Sequence, residues 1–71
     1  MPDEVRAEIV ASVWKVCVQV GEAVQAGDVL AILESMKMEI PVHAETAGTV
    51  RTLSVCEGES VTEGQLLVVL G

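Results

Sequence analysis

The sequence predicts an all-β fold, a sandwich or flattened barrel of two small sheets related by an approximate twofold axis. Three observations predict it. Short runs rich in Val, Leu and Ile alternate apolar with polar residues, and no stretch carries a helical period. Gly-centred bends punctuate these runs at regular spacing, the pattern of many short strands. Finally, Glu8–Glu34 lies over Glu45–Gly71 without a gap when the chain is offset by thirty-seven residues. Val13 then meets Val50, Gly21 meets Gly58, Glu22 meets Glu59, Gly27 meets Gly64 and Leu30 meets Leu67. Two copies are too few for a solenoid, so the halves are expected to close on each other.

Taken in order, Met1–Glu4 reads as a polar lead-in, frayed as termini are. Val5–Val10 has strand character. Val13–Val20 alternates, with Val16, Val18 and Val20 on one face and Lys15, Cys17 and Gln19 on the other. Gly21 and Gly27 mark bends that call for positive φ. Val29–Leu33 is the next strand and Met38–His43 the one after it. Pro41 has no amide donor, which places that strand at an edge or at a break in its ladder. Ala47-Gly48 turns the chain, and Thr49–Val55 repeats the alternating strand through Val50, Leu53 and Val55. Gly58-Glu59 and Glu63-Gly64 repeat the bends, and Gln65–Leu70 closes a single domain spanning residues 1–71.

Seventy-one residues allow one domain with a thin margin of stability; a chain of this size buries only about 60% of its unfolded surface. An enclosed substrate pocket would consume much of that core, which argues against a free-standing enzyme. The core must come from Val, Leu, Ile and Ala, since Trp14 is the sole aromatic residue. A net charge of −7, from eleven acidic and four basic residues, disfavours nucleic acid and anionic membrane as partners. Met1–Arg6 has no apolar signal region and no apolar run is longer than Leu66–Leu70, so the expected location is cytoplasmic. Cys17, Cys56 and His43 have no metal-ligand spacing, and reduced thiols are expected.

One stretch stands apart from the repeat. Residues 35–44 have no counterpart in the self-match, and they hold Lys37 between Met36 and Met38, with Glu34 and Glu39 close by. Flanking strands make this a hairpin with Lys37 near its tip, yet the tip lacks the Asn-Gly or Asp-Gly that specifies a tight turn locally. An exposed lysine is ordinarily a solubility device. Methionines at an exposed tip are not, because Met gains nothing in water; the plain alternative is that they fold back over the core edge. Schiff-base catalysis needs a desolvated lysine, which a hairpin tip between two glutamates does not supply. A lysine that is itself a substrate needs only exposure and a recognisable surround.

Glu34-Ser35-Met36-Lys37-Met38-Glu39 resembles the attachment sequence of the biotinyl domain, the biotin carboxyl carrier family. The resemblance extends through Val13-Trp14-Lys15-Val16, Val20–Val24, Ala26–Leu30, Gly48-Thr49-Val50, Glu57–Val61 and Glu63–Leu67. It implies two antiparallel four-stranded sheets, a barrel-sandwich hybrid with quasi-twofold symmetry and the target lysine on a hairpin. It further implies covalent biotin on Lys37, with Met36, Met38, Glu34 and Glu39 as recognition residues. The implied partners are a biotin protein ligase, a biotin carboxylase and a carboxyltransferase, between which CO₂ travels as carboxybiotin on a non-catalytic carrier, expected to be monomeric. Related lipoyl domains share the fold but resemble Asp-Lys-Ala at the tip, so the methionines favour biotin over lipoate. A lipoyl carrier and an unmodified interaction module of the same fold are the alternatives. The chain departs from the family at Ala11-Ser12, where Pro-Gly is usual and a differently shaped corner is expected. It departs again at Ala44-Glu45, where Ala-Pro is common, and it has no inserted thumb.

Overall fold

The computed structural model describes residues 3–71. Eight strands form two antiparallel sheets: β1 (Asp3–Arg6), β2 (Ala11–Val16), β3 (Ala23–Val24), β4 (Val29–Ser35), β5 (Met38–His43), β6 (Gly48–Leu53), β7 (Ser60–Val61) and β8 (Leu66–Leu70). One sheet has the order β1-β8-β6-β3 and the other β5-β4-β2-β7. The sheets are not closed into a barrel; they pack as a sandwich.

The thirty-seven-residue offset is written into this topology. It carries β2 onto β6, β3 onto β7 and β4 onto β8, and so exchanges the two sheets. Hydrogen bonds exchange likewise: Gly21 N–H donates to Val50 C=O and Gly58 N–H to Val13 C=O, both at the crossing between sheets. Each half has two tight turns, at Gln19–Glu22 and Gln25–Asp28 in the first and at Cys56–Glu59 and Thr62–Gln65 in the second. Each has a glycine at its third position, with φ of +92° at Gly21 and +94° at Gly27, the signature of a type II turn. The fourth residue closes it twice, donating its own amide back and accepting the first residue's amide on its side chain. Glu22 does this for Gln19, and Glu59 for Cys56. The repeated Gly-Glu pairs are therefore turn chemistry.

The symmetry runs further than the self-match. β1 is the counterpart of Ile40–His43 in β5, so Val5 answers Val42 and Ala7 answers Ala44. Among the described residues the hairpin tip, about Ser35–Glu39, has no mate, a shorter stretch than residues 35–44. Identities there are too sparse to be read without the strand pairing. β5 is an edge strand, which accommodates Pro41.

The core follows the same rule. Leu30, Leu33, Leu67, Leu70, Val13, Val50, Val61 and Val68 are the largest fully buried side chains. Apart from Ala11, every buried apolar residue has its repeat counterpart buried as well. Valine, leucine and alanine supply this core; Ile40 packs at its margin, Ile32 is half-buried and Ile9 is exposed.

Other expectations need correcting. The first strand runs Asp3–Arg6 rather than Val5–Val10, so Asp3 and Glu4 are ordered in a ladder with Leu70 and Val69; Met1 and Pro2 lie outside the described residues. The alternating strand ends at Val16. A bulge between Val13 and Lys15 shifts its parity, and Val20, expected to face inward with Val16 and Val18, is 63% exposed in the turn that follows. The same bulge recurs between Val50 and Thr52. Ala11 does not reshape its corner: it opens β2 and pairs with Val61 as Gly48 opens β6 and pairs with Val24. Gly48 has no positive φ, so alanine fits the same backbone.

Candidate functional site

The ladder of β4 with β5 pairs Ile32 with Pro41, Leu33 with Ile40, Glu34 with Glu39 and Ser35 with Met38. Leu33 is buried and Ile40 packs against the core cluster, so this pair anchors the base of the hairpin. Beyond them the hairpin leaves the body and turns in two residues, Met36 and Lys37.

Both turn residues have left-handed backbones, with φ of 53° at Met36 and 66° at Lys37. Positive φ at both central positions is the mark of a type I′ turn, whose twist suits a two-residue hairpin but whose positions favour Asn and Gly. Among the described residues these are the only non-glycine positions with positive φ. The left-handed conformation costs an L-residue about 1–2 kcal/mol. The ladder on either side imposes that conformation on a methionine and a lysine, the kind of backbone strain that clusters at functional sites.

The side chains gain little in return. Met36 is 92% exposed and Met38 63%, so neither folds back over the core edge. Lys37 is exposed and makes no ion pair among the described residues, whose one salt bridge joins Arg6 to Glu4. Glu34 and Glu39 lie directly across the ladder from each other, an arrangement in which like charges destabilise a sheet. The site thus consists of a free primary amine at the apex of a strained turn, two thioether side chains in water, and two carboxylates one step below. It has no buried polar group and no enclosed cavity for a substrate. What it can do chemically is present the amine to something larger.

The other sequence candidates lie elsewhere. Cys17 and Cys56 are exposed free thiols, and His43 is exposed at the far end of β5. No group of three metal-ligating side chains comes together among the described residues. The strain at Met36 and Lys37 was not legible in the sequence, although the missing Asn-Gly was its trace.

The family model described as biotin-requiring enzyme, the biotin/lipoyl family, matches residues 1–70. The chain belongs to the biotin/lipoyl attachment family. It is 53% identical to the biotinylated protein TB7.3 homolog of Mycobacterium leprae over 70 residues, 99% of each chain. It is 42% identical to a biotin/lipoyl attachment protein of Bacillus subtilis over 66 residues, 93% of this chain and 90% of the other. This biotin/lipoyl domain also superimposes on part of the Kluyveromyces lactis urea carboxylase with a TM-score of 0.93 and 32% identity, covering 100% of this chain and 6% of that one. A single-chain, multi-domain long-chain acyl-CoA carboxylase matches with a TM-score of 0.90 and 32% identity, over 96% of this chain and 7% of its own. The domain therefore spans a small fraction of these carboxylases and almost the full length of the first two relatives. Among its described residues no helix is long and apolar enough to cross a membrane.

Proposed function

We propose that Lys37 is the residue to which biotin is covalently joined, and that the protein is a biotin carboxyl carrier. The observation that carries this reading is the apex of the hairpin: a lysine and a methionine held at positive φ, exposed and unpaired, at the one place where the repeat is broken. The residues fit the group. Lys37 is exposed at a turn held by the ladder below it, so its amine is accessible to a partner.

Lys37 Nζ would supply the lone pair for an amide bond to biotin's carboxyl carbon, giving up a proton as the carboxyl's activating group leaves. When attached, biotin supplies a ureido nitrogen that takes up and returns a carboxyl group. The protein's own contribution is placement. Its ladder fixes where the arm begins, and tethering raises the effective concentration of the arm's end at each partner site. Met36 and Met38 offer soft, adaptable contacts to those partners, and Glu34 and Glu39 give the approach its charge. The partners are a biotin protein ligase, a biotin carboxylase and a carboxyltransferase. They meet a cytoplasmic, monomeric carrier whose single attachment domain spans residues 1–71. Relatives that are or contain biotin-dependent enzymes support the carboxylase setting, among them an acyl-coenzyme A carboxylase subunit of M. leprae. The name of the B. subtilis relative keeps a lipoyl carrier as the second reading.

Intact mass distinguishes these readings. The protein is incubated with biotin protein ligase, ATP and biotin beside Lys37→Ala, and separately with a lipoate ligase. One biotin on the wild type and none on Lys37→Ala is the expected result. Addition at Lys15 would move the site, and modification by the lipoate ligase alone would move the protein to the sister class. Modification by neither would leave an unmodified interaction module.

A further inference from the structure

The repeat provides an internal control for the surface, because each loop of the body has a counterpart in the same protein at the other end of the sandwich. Most counterparts differ in ways that burial or turn chemistry explains. The exceptions are Trp14, 51% exposed opposite Arg51, Val20, 63% exposed opposite Glu57, and the loop entering β2, which alone of these lies beside the hairpin. Ile9 and Val10 stand there, 39% and 66% exposed, where the equivalent loop entering β6 has Thr46 and Ala47. The surroundings differ as well: Thr46 Oγ1 donates to Asp3, whereas Ile9 faces Leu33 and Ile40 across a cleft. Val10 stays 66% exposed.

Their location gives them a use. Ser12 in β2 pairs with Glu34, and Val10 lies two residues before it in the bend that enters β2, on the hairpin side of that pair. Ile9 lines an open cleft of about 620 Å³ between β1 and β5, together with Leu33 and Ile40, the pair at the base of the hairpin. Ile9, Val10, Met36 and Met38 are thus exposed apolar residues on the segments that flank the lysine hairpin. Around them stand Glu8, Glu34 and Glu39, all exposed.

We propose that Ile9 and Val10 extend the Met36–Met38 tip into one docking face for the ligase that acylates Lys37, and that the ligase meets it with an apolar centre ringed by Lys and Arg. This rests on Lys37 being the attachment site. Charge complementarity selects the partner: three carboxylates rim the face, and the lysine among them must stay free to react.

The test exchanges residues between the two ends. I9T/V10A installs the pair that the other half of the fold already carries in its equivalent loop. V20E installs Glu57's residue type at an exposed position a strand length from the hairpin. Initial rates are measured with purified biotin protein ligase, ATP and biotin, varying the carrier, with a thermal melt of each variant. I9T/V10A is expected to raise KM for the carrier at least roughly fivefold with kcat unchanged, the signature of lost binding. The apolar variant I9L/V10I is expected to stay near wild type, as is V20E. Added salt should raise the wild-type KM. An unchanged KM for I9T/V10A, or an equal rise for V20E, would overturn the proposal while leaving Lys37 as the site. A wild type that takes no biotin would overturn both.

Discussion

If the hairpin tip is strained to hold the lysine out, then removing the lysine and its neighbour should make the protein more stable. M36N/K37G places at the tip the Asn-Gly pair that a type I′ turn favours. Little else is lost with the wild-type side chains: Met36 is 92% exposed, and Lys37 makes no ion pair among the described residues. The gain can be estimated from the backbone. A left-handed L-residue costs about 1–2 kcal/mol, and asparagine relieves roughly half of that by tolerating the conformation. Glycine removes the penalty at position 37 but returns about 0.5–1 kcal/mol through its freer unfolded state. The two changes share a turn and do not add fully, so a net stabilisation of about 1–2 kcal/mol is expected. In a domain this small that raises Tm by roughly 4–16 °C. Differential scanning calorimetry and urea melts of the unmodified proteins measure it, with Met36→Asn alone accounting for about half. A double variant with a Tm at or below wild type would refute the reasoning, because the turn would then hold no strain to release.

Two further outcomes follow from the same geometry. Leu30 and Leu67 are repeat partners, each at 0% exposure. Truncating either to alanine should cost a similar amount, about 2–5 kcal/mol, against a total of about 4–10 kcal/mol for a chain of this length; urea titration would show both variants losing about half of their stability. Glu39→Gln removes one of two like charges opposed across the hairpin ladder. It should stabilise by about 0.2–1 kcal/mol at low ionic strength, an advantage that fades as salt screens the pair and that paired melts at two salt concentrations would reveal.

The sequence by itself determined the symmetric body. Its apolar positions recur at a fixed offset because two copies of one packing unit bury them, and its repeated Gly-Glu pairs recur because each closes the same type II turn. Lys37, Met36 and Met38 were also legible, being residues that neither turn propensity nor burial would choose. Pro41 announced an edge strand through its missing amide. Tertiary structure decided the rest. The bulges after Val13 and Val50 are set by pairing across strands, so alternation counted along the chain carried Val20 inward when it belongs in water. The kinship of β1 with β5 rests on shared ladders rather than shared residues, and only the pairing reveals it. Ile9 and Val10 read as strand because their β-propensity is high; the fold leaves them in a loop beside the hairpin, exposed where the lysine is. The left-handed turn at Met36 and Lys37 depends on the tertiary structure most of all. Local preference opposes it, and it exists because two strands anchored in the core by Leu33 and Ile40 leave the chain two residues in which to reverse.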